Sequence, residues 1–102
     1  MLYFIDDTFV DSADARIHVH DLGLLRGFGV YECFRCYGYE PFCLDEHLDR
    51  FYTSADHQSL FPTYNKQALQ KIIYQLLEKN GVKNLVFKLF LTGGSSDDHI
   101  TY

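Results

Sequence analysis

The apolar residues between positions 44 and 55 recur every three or four residues. That spacing places them on one stripe of a helix with about 3.6 residues per turn, and most polar residues of the segment face away from it. The segment therefore predicts a helix over about residues 45–59 with one side turned to a core. The stripe consists of Leu44, Leu48, Phe51 and Ala55.

Arg50 lies on the flank of this stripe, between the apolar residues and those that face water. Glu46 precedes it by four residues, in the order that favours a helical ion pair worth about 0.2–0.5 kcal/mol. Such pairs are common and weak on exposed helices. The residues alone therefore predict a surface ion pair between Glu46 and Arg50.

The remaining segments predict strands and a second helix. LYFI and TFVD, joined by two aspartates, predict a hairpin, while GVYECFRCYG and LVFKLFL predict longer strands. NKQALQKIIYQLLEKNG predicts an amphipathic helix that ends at Gly81. ARIHVHD predicts an extended piece and LGLLRGFG a turn or tight loop, while TGGSSDDHITY consists of residues typical of turns. This order of elements predicts an α+β fold, a largely antiparallel sheet with two main helices packed on one side.

The composition limits the class of protein. The 102 residues suffice for one domain, and a hydrophobic content of 47% predicts that the chain folds. A net charge of −5 without a run of basic residues argues against nucleic acid and anionic membranes as partners. No apolar run approaches the roughly 20 residues of a membrane helix. Because the three cysteines do not fit a disulfide scaffold, we expect a cytoplasmic protein.

Two groups of residues raise the question of a metal site. Cys33 and Cys36 have the C-x-x-C spacing, but a strand places residues three apart on opposite faces, which argues against joint chelation. His18 and His20 share a face of the predicted extended piece and, with Asp21, leave a zinc site as one alternative. The sequence offers no clear further ligand, so the expected metal is none.

Arg35 and Lys88 are long cations inside strands whose neighbours favour burial. Charged side chains of this kind are seldom fully buried without partners. Two explanations stay open at this point. Either the two side chains extend to water from the edge of a sheet, or they line a pocket for an anion.

The run HDLGLLRGFGVYECFRCYGYEPFCLDEHLDRFYTSA, residues 20–55, resembles the amino-terminal domain of the class IV, or fold type IV, pyridoxal-phosphate enzymes. These include branched-chain and D-amino-acid aminotransferases and 4-amino-4-deoxychorismate lyase. The resemblance rests on the order and spacing of several short motifs and continues more faintly through LVFKLFLTGG. The matched positions are Asp21, Gly23, Gly27 to Glu32, Arg35, Gly38, and His47 to Ala55.

The resemblance implies roles for four residues. Arg50, with His47 three residues before it, matches the arginine that holds the phosphate of pyridoxal 5'-phosphate. Tyr31 matches a strand aromatic that faces the substrate. Arg35 and Lys88 match positions at which family members often place a basic residue facing the same pocket. Tyr31, Arg35 and Lys88 are therefore expected to bind substrate, with its carboxylate as their target.

The resemblance also implies that residues 1–102 are the amino-terminal small domain of a larger two-domain enzyme. The family's Schiff-base lysine lies in the second, carboxy-terminal domain, and no lysine of this sequence matches it. The chain is therefore expected to contain no catalytic residue and to be inactive alone. Because the second domain and a partner subunit normally cover the sheet, we expect exposed apolar surface and self-association.

Three positions depart from the family pattern. Phe28 stands where most members carry an acidic or small polar residue, and Gly93 replaces the arginine of a T-R-G turn. Val86 replaces a tyrosine of the branched-chain enzymes, which leaves the substrate open. The expected activity is transamination between a small amino acid and a 2-oxo acid by a homodimer. Aminodeoxychorismate lyase activity, or a non-catalytic dimerisation or binding module, are the alternatives.

Overall fold

The computed structural model describes residues 1–95, which begin with a two-stranded hairpin. Strands β1 (Leu2–Ile5) and β2 (Thr8–Asp11) pair antiparallel, as predicted. Asp6 and Asp7 form the turn with φ of 49° and 68°, in the left-handed region that aspartate enters more readily than most residues.

The segment after the hairpin contains two short helical elements that the sequence did not predict. A single 3₁₀ turn spans Ser12–Asp14, no strand forms over residues 15–20, and helix α1 spans Leu22–Arg26. Asp21 caps α1, and Gly27 ends it with φ of 65°. The prediction of a turn or tight loop over LGLLRGFG was therefore wrong for Leu22–Arg26, because a capping aspartate and a terminal glycine suffice for a short helix.

A three-stranded antiparallel sheet forms the centre of the fold, in the order β4–β3–β5. β3 spans Gly29–Tyr37, β4 spans Glu40–Pro41 and β5 spans Val86–Thr92. The register places Cys33 of β3 directly opposite Lys88 of β5. The two long strands are those predicted from the sequence.

Asp21 and Gly23, which form an Asp-x-Gly motif, link α1 to the end of β5. Asp21 Oδ1 accepts a hydrogen bond from the Gly23 N–H at 2.8 Å, and Asp21 Oδ2 accepts one from the Thr92 hydroxyl at 3.0 Å. The Leu22 N–H donates to the carbonyl oxygen of Gly94 at 2.8 Å. The motif thus has a structural role within this chain.

Two long helices cover one side of the sheet. α2 spans Leu44–His57 and α3 spans Lys66–Asn80, close to the predicted bounds. Asn65 caps α3 by accepting a hydrogen bond from the Ala68 N–H at 2.8 Å, and Gly81 ends it with φ of 61°. The beginning and the end of α3 therefore have local causes that the sequence contains.

The core lies between these helices and the sheet. All four residues of the predicted α2 stripe are buried, and Leu48 and Ala55 have no exposed surface. This arrangement confirms an α+β fold with helices on one face of an antiparallel sheet. Within residues 1–95 no helix is long and apolar enough to cross a membrane. The central cluster consists of Phe34, Cys36, Leu44, Leu48, Ile73, Leu77 and Phe87.

Candidate functional site

The alternation of side chains along β3 gives the sheet two different faces. Between positions 31 and 37 the odd-numbered side chains are exposed and the even-numbered ones are buried. We call the exposed side the open face and the side under α2 and α3 the covered face. The open face carries Tyr31, Cys33, Arg35 and Tyr37 from β3 and Val86, Lys88 and Phe90 from β5.

Three of the predicted site residues lie on the open face. Phe90 is opposite Tyr31, and Lys88 is opposite Cys33, so that Lys88 lies between the strand positions of Tyr31 and Arg35. The ring centroids of Tyr31 and Phe90 are 4.9 Å apart. The face consequently has an aromatic pair at one end and the two cations nearer its middle, with Tyr37 beyond Arg35.

The Tyr31 hydroxyl is a hydrogen-bond donor at neutral pH. Hydrogen bonding with Cys33 raises the pKa of Tyr31, and partial desolvation and the charge of Glu32 act in the same direction. A tyrosine hydroxyl ordinarily loses its proton only near pH ~10, and here still higher. Tyr31 can therefore donate to an anion placed over the open face.

Arg35 borders a shallow cleft of about 360 Å³ at one end of the sheet. Tyr37 and Asn84 line the same cleft, whereas Tyr31 and Lys88 do not. The three predicted substrate residues thus share an open surface and not an enclosed pocket. A closed site at this position needs a second surface laid over the open face.

The fourth predicted site residue, Arg50, is tied to a carboxylate that reaches it from the covered face. Arg50 Nε donates to Glu32 Oε2 at 3.0 Å, and Arg50 Nη2 donates to Glu32 Oε1. His47, one turn earlier on α2, places its Nδ1 2.6 Å from the same Oε1. Glu32 is only 4% exposed. We call these three residues the Glu32 cluster.

The ion pair predicted between Arg50 and Glu46 is replaced by this cluster among the described residues. The physical reason is burial: a carboxylate removed from water needs a cationic partner, whereas the exposed Glu46 is solvated. The hydrogen bonds from Arg50 lower the pKa of Glu32 against the opposing effect of burial, and Glu32 raises the pKa of Arg50. Both groups are therefore charged at neutral pH.

Arg50 keeps donors available for a further ligand. Its side chain is 67% exposed, and its Nη1 makes no hydrogen bond within residues 1–95. A guanidinium that is gripped along its Nε edge still presents the outer pair of N–H groups, whose planar geometry matches two phosphate oxygens. The donor chemistry therefore fits the phosphate of pyridoxal phosphate.

The zinc alternative has no support in the described part of the chain. His18 and His20 do lie close, with ring centroids 5.1 Å apart. The Asp21 carboxylate, however, accepts hydrogen bonds with both oxygens. Residues 1–95 contain no group of three or more His, Cys, Asp or Glu side chains arranged to hold a metal ion. Cys33 and Cys36 lie on opposite faces of β3, as predicted.

No role for Glu32 follows from the resemblance, yet the sequence carries a signal for it. Glu32 shares its strand side with Phe34 and Cys36, and a carboxylate in a buried register requires a cation. The next helix supplies Arg50 on the flank of its apolar stripe. Together these two discordant residues could have predicted the pair.

Two of the departures from the family pattern contact each other. A Cβ atom added at Gly93 would lie 2.6 Å from Cδ2 of the Phe28 ring, closer than real Cβ atoms approach. The Gly93 N–H also donates to the Phe28 carbonyl oxygen at 3.1 Å. The Phe28 ring therefore occupies the space that a side chain at position 93 would require.

Comparison with known proteins identifies consistent relatives. Residues 29–101 match the family model of amino-transferase class IV. A putative branched-chain-amino-acid aminotransferase of Methanocaldococcus jannaschii is 34% identical over 97 residues, which cover 95% of this chain and 34% of that protein. The D-alanine aminotransferase of Staphylococcus epidermidis is 36% identical over 81 residues, which cover 79% of this chain and 29% of that protein.

A solved structure shows the same fold. It is a T.th. branched-chain amino acid aminotransferase complexed with N-(5'-phosphopyridoxyl)-L-glutamate, and it matches with a TM-score of 0.85 and 26% identity. The match covers 93% of this chain and 33% of that one. The chain therefore spans about a third of the length of the relatives that it matches.

Proposed function

The chain belongs to the class IV aminotransferase family, and from that premise we propose that it is the amino-terminal part of a pyridoxal-phosphate-dependent aminotransferase. The proposed reaction exchanges an amino group between a small amino acid and a 2-oxo acid. The observation that supports it best is the arrangement around β3. An arginine fixed by a buried carboxylate stands at one side, and Tyr31, Arg35 and Lys88 stand uncovered on the other.

Arg50 is proposed to hold the phosphate of the cofactor. Its outer N–H groups suit two parallel charge-assisted hydrogen bonds, and its inner edge is already fixed by Glu32. When bound, pyridoxal phosphate supplies the electron sink for carbanion chemistry at the substrate α-carbon. The branched-chain relative of known structure carries a phosphopyridoxyl compound, which supports the same cofactor for this chain.

Tyr31, Arg35 and Lys88 are proposed to bind the substrate carboxylate. Two cations and a hydroxyl donor on one exposed face supply the donors that a carboxylate accepts. A surface laid over the open face would exclude water and strengthen these charge interactions. Fixing the carboxylate orients the substrate relative to the covering surface.

The lysine that joins the cofactor and transfers protons is proposed to lie in a second domain, in the part of the relatives' length that this chain does not span. Three lysines of the chain lie on α3, one lies after Gly81, and Lys88 is exposed on the open face. We therefore expect no turnover from this chain alone. The lysines are Lys66, Lys71, Lys79, Lys83 and Lys88.

Reductive labelling tests this assignment. The chain is incubated with pyridoxal phosphate and reduced with borohydride, and the adducts are mapped by mass spectrometry. Slow labelling scattered over the lysines, without transaminase turnover, is the expected result. A single stoichiometric adduct at Lys88 together with turnover would contradict the proposal.

Cofactor retention in the complete protein tests the role of Arg50. Arg50→Ala is expected to lose pyridoxal phosphate during gel filtration, as read from cofactor absorbance. Glu46→Ala, at an exposed position of the same helix, is the matched control and is expected to retain it. Small and equal losses from both variants would remove Arg50 from the cofactor site.

Product analysis separates the remaining alternatives. Transamination leaves an exchanged amino group, a lyase reaction releases pyruvate without an amino acceptor, and a binding module turns over neither substrate. A homodimer located in the cytoplasm belongs to the same proposal, and sedimentation and cell fractionation measure those two properties.

A further inference from the structure

Both oxygens of the Glu32 carboxylate have hydrogen-bond partners, although the family resemblance assigns Glu32 no role. It is 4% exposed on the covered face of β3, and both of its oxygens contact Arg50. The His47 ring adds a second contact to Oε1 and lies 5.4 Å from the Phe34 ring, centroid to centroid. Two side chains of α2, Arg50 and His47, thus determine where the carboxylate points.

The arginine that it binds would otherwise be free to move. An exposed arginine side chain samples many rotamers, and an anion that binds it must first order it. Arg50 is 67% exposed, but its Nε and Nη2 are both bonded to a buried group. The plane of the guanidinium is therefore fixed, and only its outer edge is left to a ligand.

We propose that Glu32 is a positioning residue that orients Arg50 for the cofactor phosphate. The inference rests on the proposed function, because it takes the phosphate of pyridoxal phosphate as the ligand of Arg50. Glu32 itself touches no ligand in this proposal. It acts by lowering the ordering cost that phosphate binding would otherwise carry.

The charge of Glu32 has an effect on phosphate affinity that opposes the positioning effect. A measurement of affinity in Glu32 variants therefore tells the two effects apart. The negative charge of Glu32 offsets the positive charge of Arg50 and, by itself, weakens the attraction for an anion. If charge dominated, removing Glu32 would tighten phosphate binding. If positioning dominates, removing Glu32 weakens it. We expect positioning to dominate because the contact is bidentate and the carboxylate is buried.

The test compares two ligands that differ only in the phosphate. Dissociation constants for pyridoxal phosphate and for pyridoxal are measured by cofactor absorbance on the complete protein and on its Glu32→Ala, Glu32→Gln and Arg50→Ala variants. At metal sites, loss of the hydrogen-bond partner that orients a ligating side chain typically costs about 10–100-fold in metal affinity, and we take that range as a guide for Arg50. Glu32→Ala is therefore expected to weaken the binding of pyridoxal phosphate by about that factor. The binding of pyridoxal is expected to stay close to that of wild type.

Glu32→Gln keeps the shape and one acceptor oxygen but loses the charge and the second acceptor. Its affinity for pyridoxal phosphate is therefore expected to lie between the affinities of wild type and Glu32→Ala. If Glu32→Ala fails to fold, as judged by thermal unfolding, Glu32→Gln decides by the same ratio of the two ligands. Glu46→Ala serves as the control on α2 and is expected to bind both ligands like wild type.

Each result has a definite reading. If Arg50→Ala binds both ligands like wild type, the cofactor role of Arg50 in the proposed function fails. If Arg50→Ala loses pyridoxal phosphate while the Glu32 variants retain it or bind it more tightly, only the positioning role of Glu32 is overturned. Equal weakening of pyridoxal and pyridoxal phosphate by the Glu32 variants would show a structural role and also overturn it.

Discussion

The two faces of the sheet are built from the same strands and differ in almost every physical respect. On the covered face Phe34 is 4% exposed, and its ring stacks on Phe87 with centroids 5.4 Å apart. On the open face Tyr31 and Phe90 are 51% and 66% exposed although their rings also lie close together. The covered face stabilises this chain by burial, and the open face contributes little to its fold.

The difference separates residues that the fold needs from residues that are available to a ligand. Packing within residues 1–95 does not explain large, exposed aromatic side chains on the open face. We therefore expect their role to lie in contacts beyond this packing, with a ligand or another protein surface. Glu32 is the exception on the covered face, since it is a buried charge. Glu32 links the buried residues of the fold to those available to a ligand, because its hydrogen-bond partner Arg50 is exposed.

The largest expected effect is a loss of stability from the covered face. Leu48 has no exposed surface and belongs to the central cluster, so Leu48→Ala leaves a cavity and is expected to cost about 2–5 kcal/mol of unfolding free energy. Denaturant titration followed by circular dichroism measures it. Lys88→Ala, on the open face, is the matched control and should keep the wild-type midpoint. Similar midpoint shifts from both would remove the distinction between the faces.

The contact between Phe28 and Gly93 lies at the end of the sheet, just outside β3 and β5, where side chains no longer alternate between the two faces. Gly93→Ala places a methyl group against the Phe28 ring, and overpacking of this kind costs about 1–3 kcal/mol. Combining it with Phe28→Ala is expected to relieve much of the added cost, because the ring is the nearest obstacle. A double-mutant cycle measured by denaturant unfolding gives the coupling. Additive effects would mean that the Leu22 side chain, also nearby, is the obstacle that matters.

The buried charge on the covered face predicts a dependence of stability on pH. Because Arg50 lowers the pKa of Glu32 below the ordinary value of 4.5, Glu32 contributes stability that is fully present above pH 4.5. That contribution is lost as the pH falls through the lowered pKa of the folded state. Glu32→Gln is expected to flatten the fall of unfolding free energy over this window. An unchanged profile in the variant would show that Glu32 titrates normally in the folded chain.

The smallest effect is expected from the aromatic pair on the open face. Phe90→Ala removes a cross-strand ring contact with Tyr31, and such pairs are worth about 0.2–1 kcal/mol. The same substitution removes exposed apolar surface, so self-association of the chain should decrease in sedimentation velocity at high concentration. A large loss of stability without a change in association would mean that the open face is part of the core after all.

The sequence predicted the long elements because their periodicity is local. The apolar stripe of α2 and the cap and stop of α3 at Asn65 and Gly81 can be read within a few residues. The placement of Tyr31, Arg35 and Lys88 on one face followed from alternation and from antiparallel pairing. Their roles came from the family resemblance and stay predictions.

What the sequence did not predict depends on contacts between distant positions. Glu32 and Arg50 are 18 residues apart, and the nearer Glu46 satisfied the helical pairing rule. The contact of Phe28 with Gly93 joins two departures that look unrelated along the chain. Helix α1 was missed because its apolar residues are too few to show a period. The turn predicted at the end of the chain falls largely on residues 96–102, outside the described residues.

The alternation of exposed and buried side chains along β3, as at Tyr31 and Glu32, limits which insertions and deletions this protein tolerates. One residue added or removed between positions 32 and 34 would turn Phe34 into water and Arg35 into the core, because a shift of one position exchanges the faces of the strand that follows. Gly38 and Tyr39, in the turn between β3 and β4, are less restricted in this respect, since a change of length there leaves the alternation along β3 itself unchanged. In a library of length variants, functional members should therefore change length at that turn, and changes inside β3 should survive only when a bulge absorbs them.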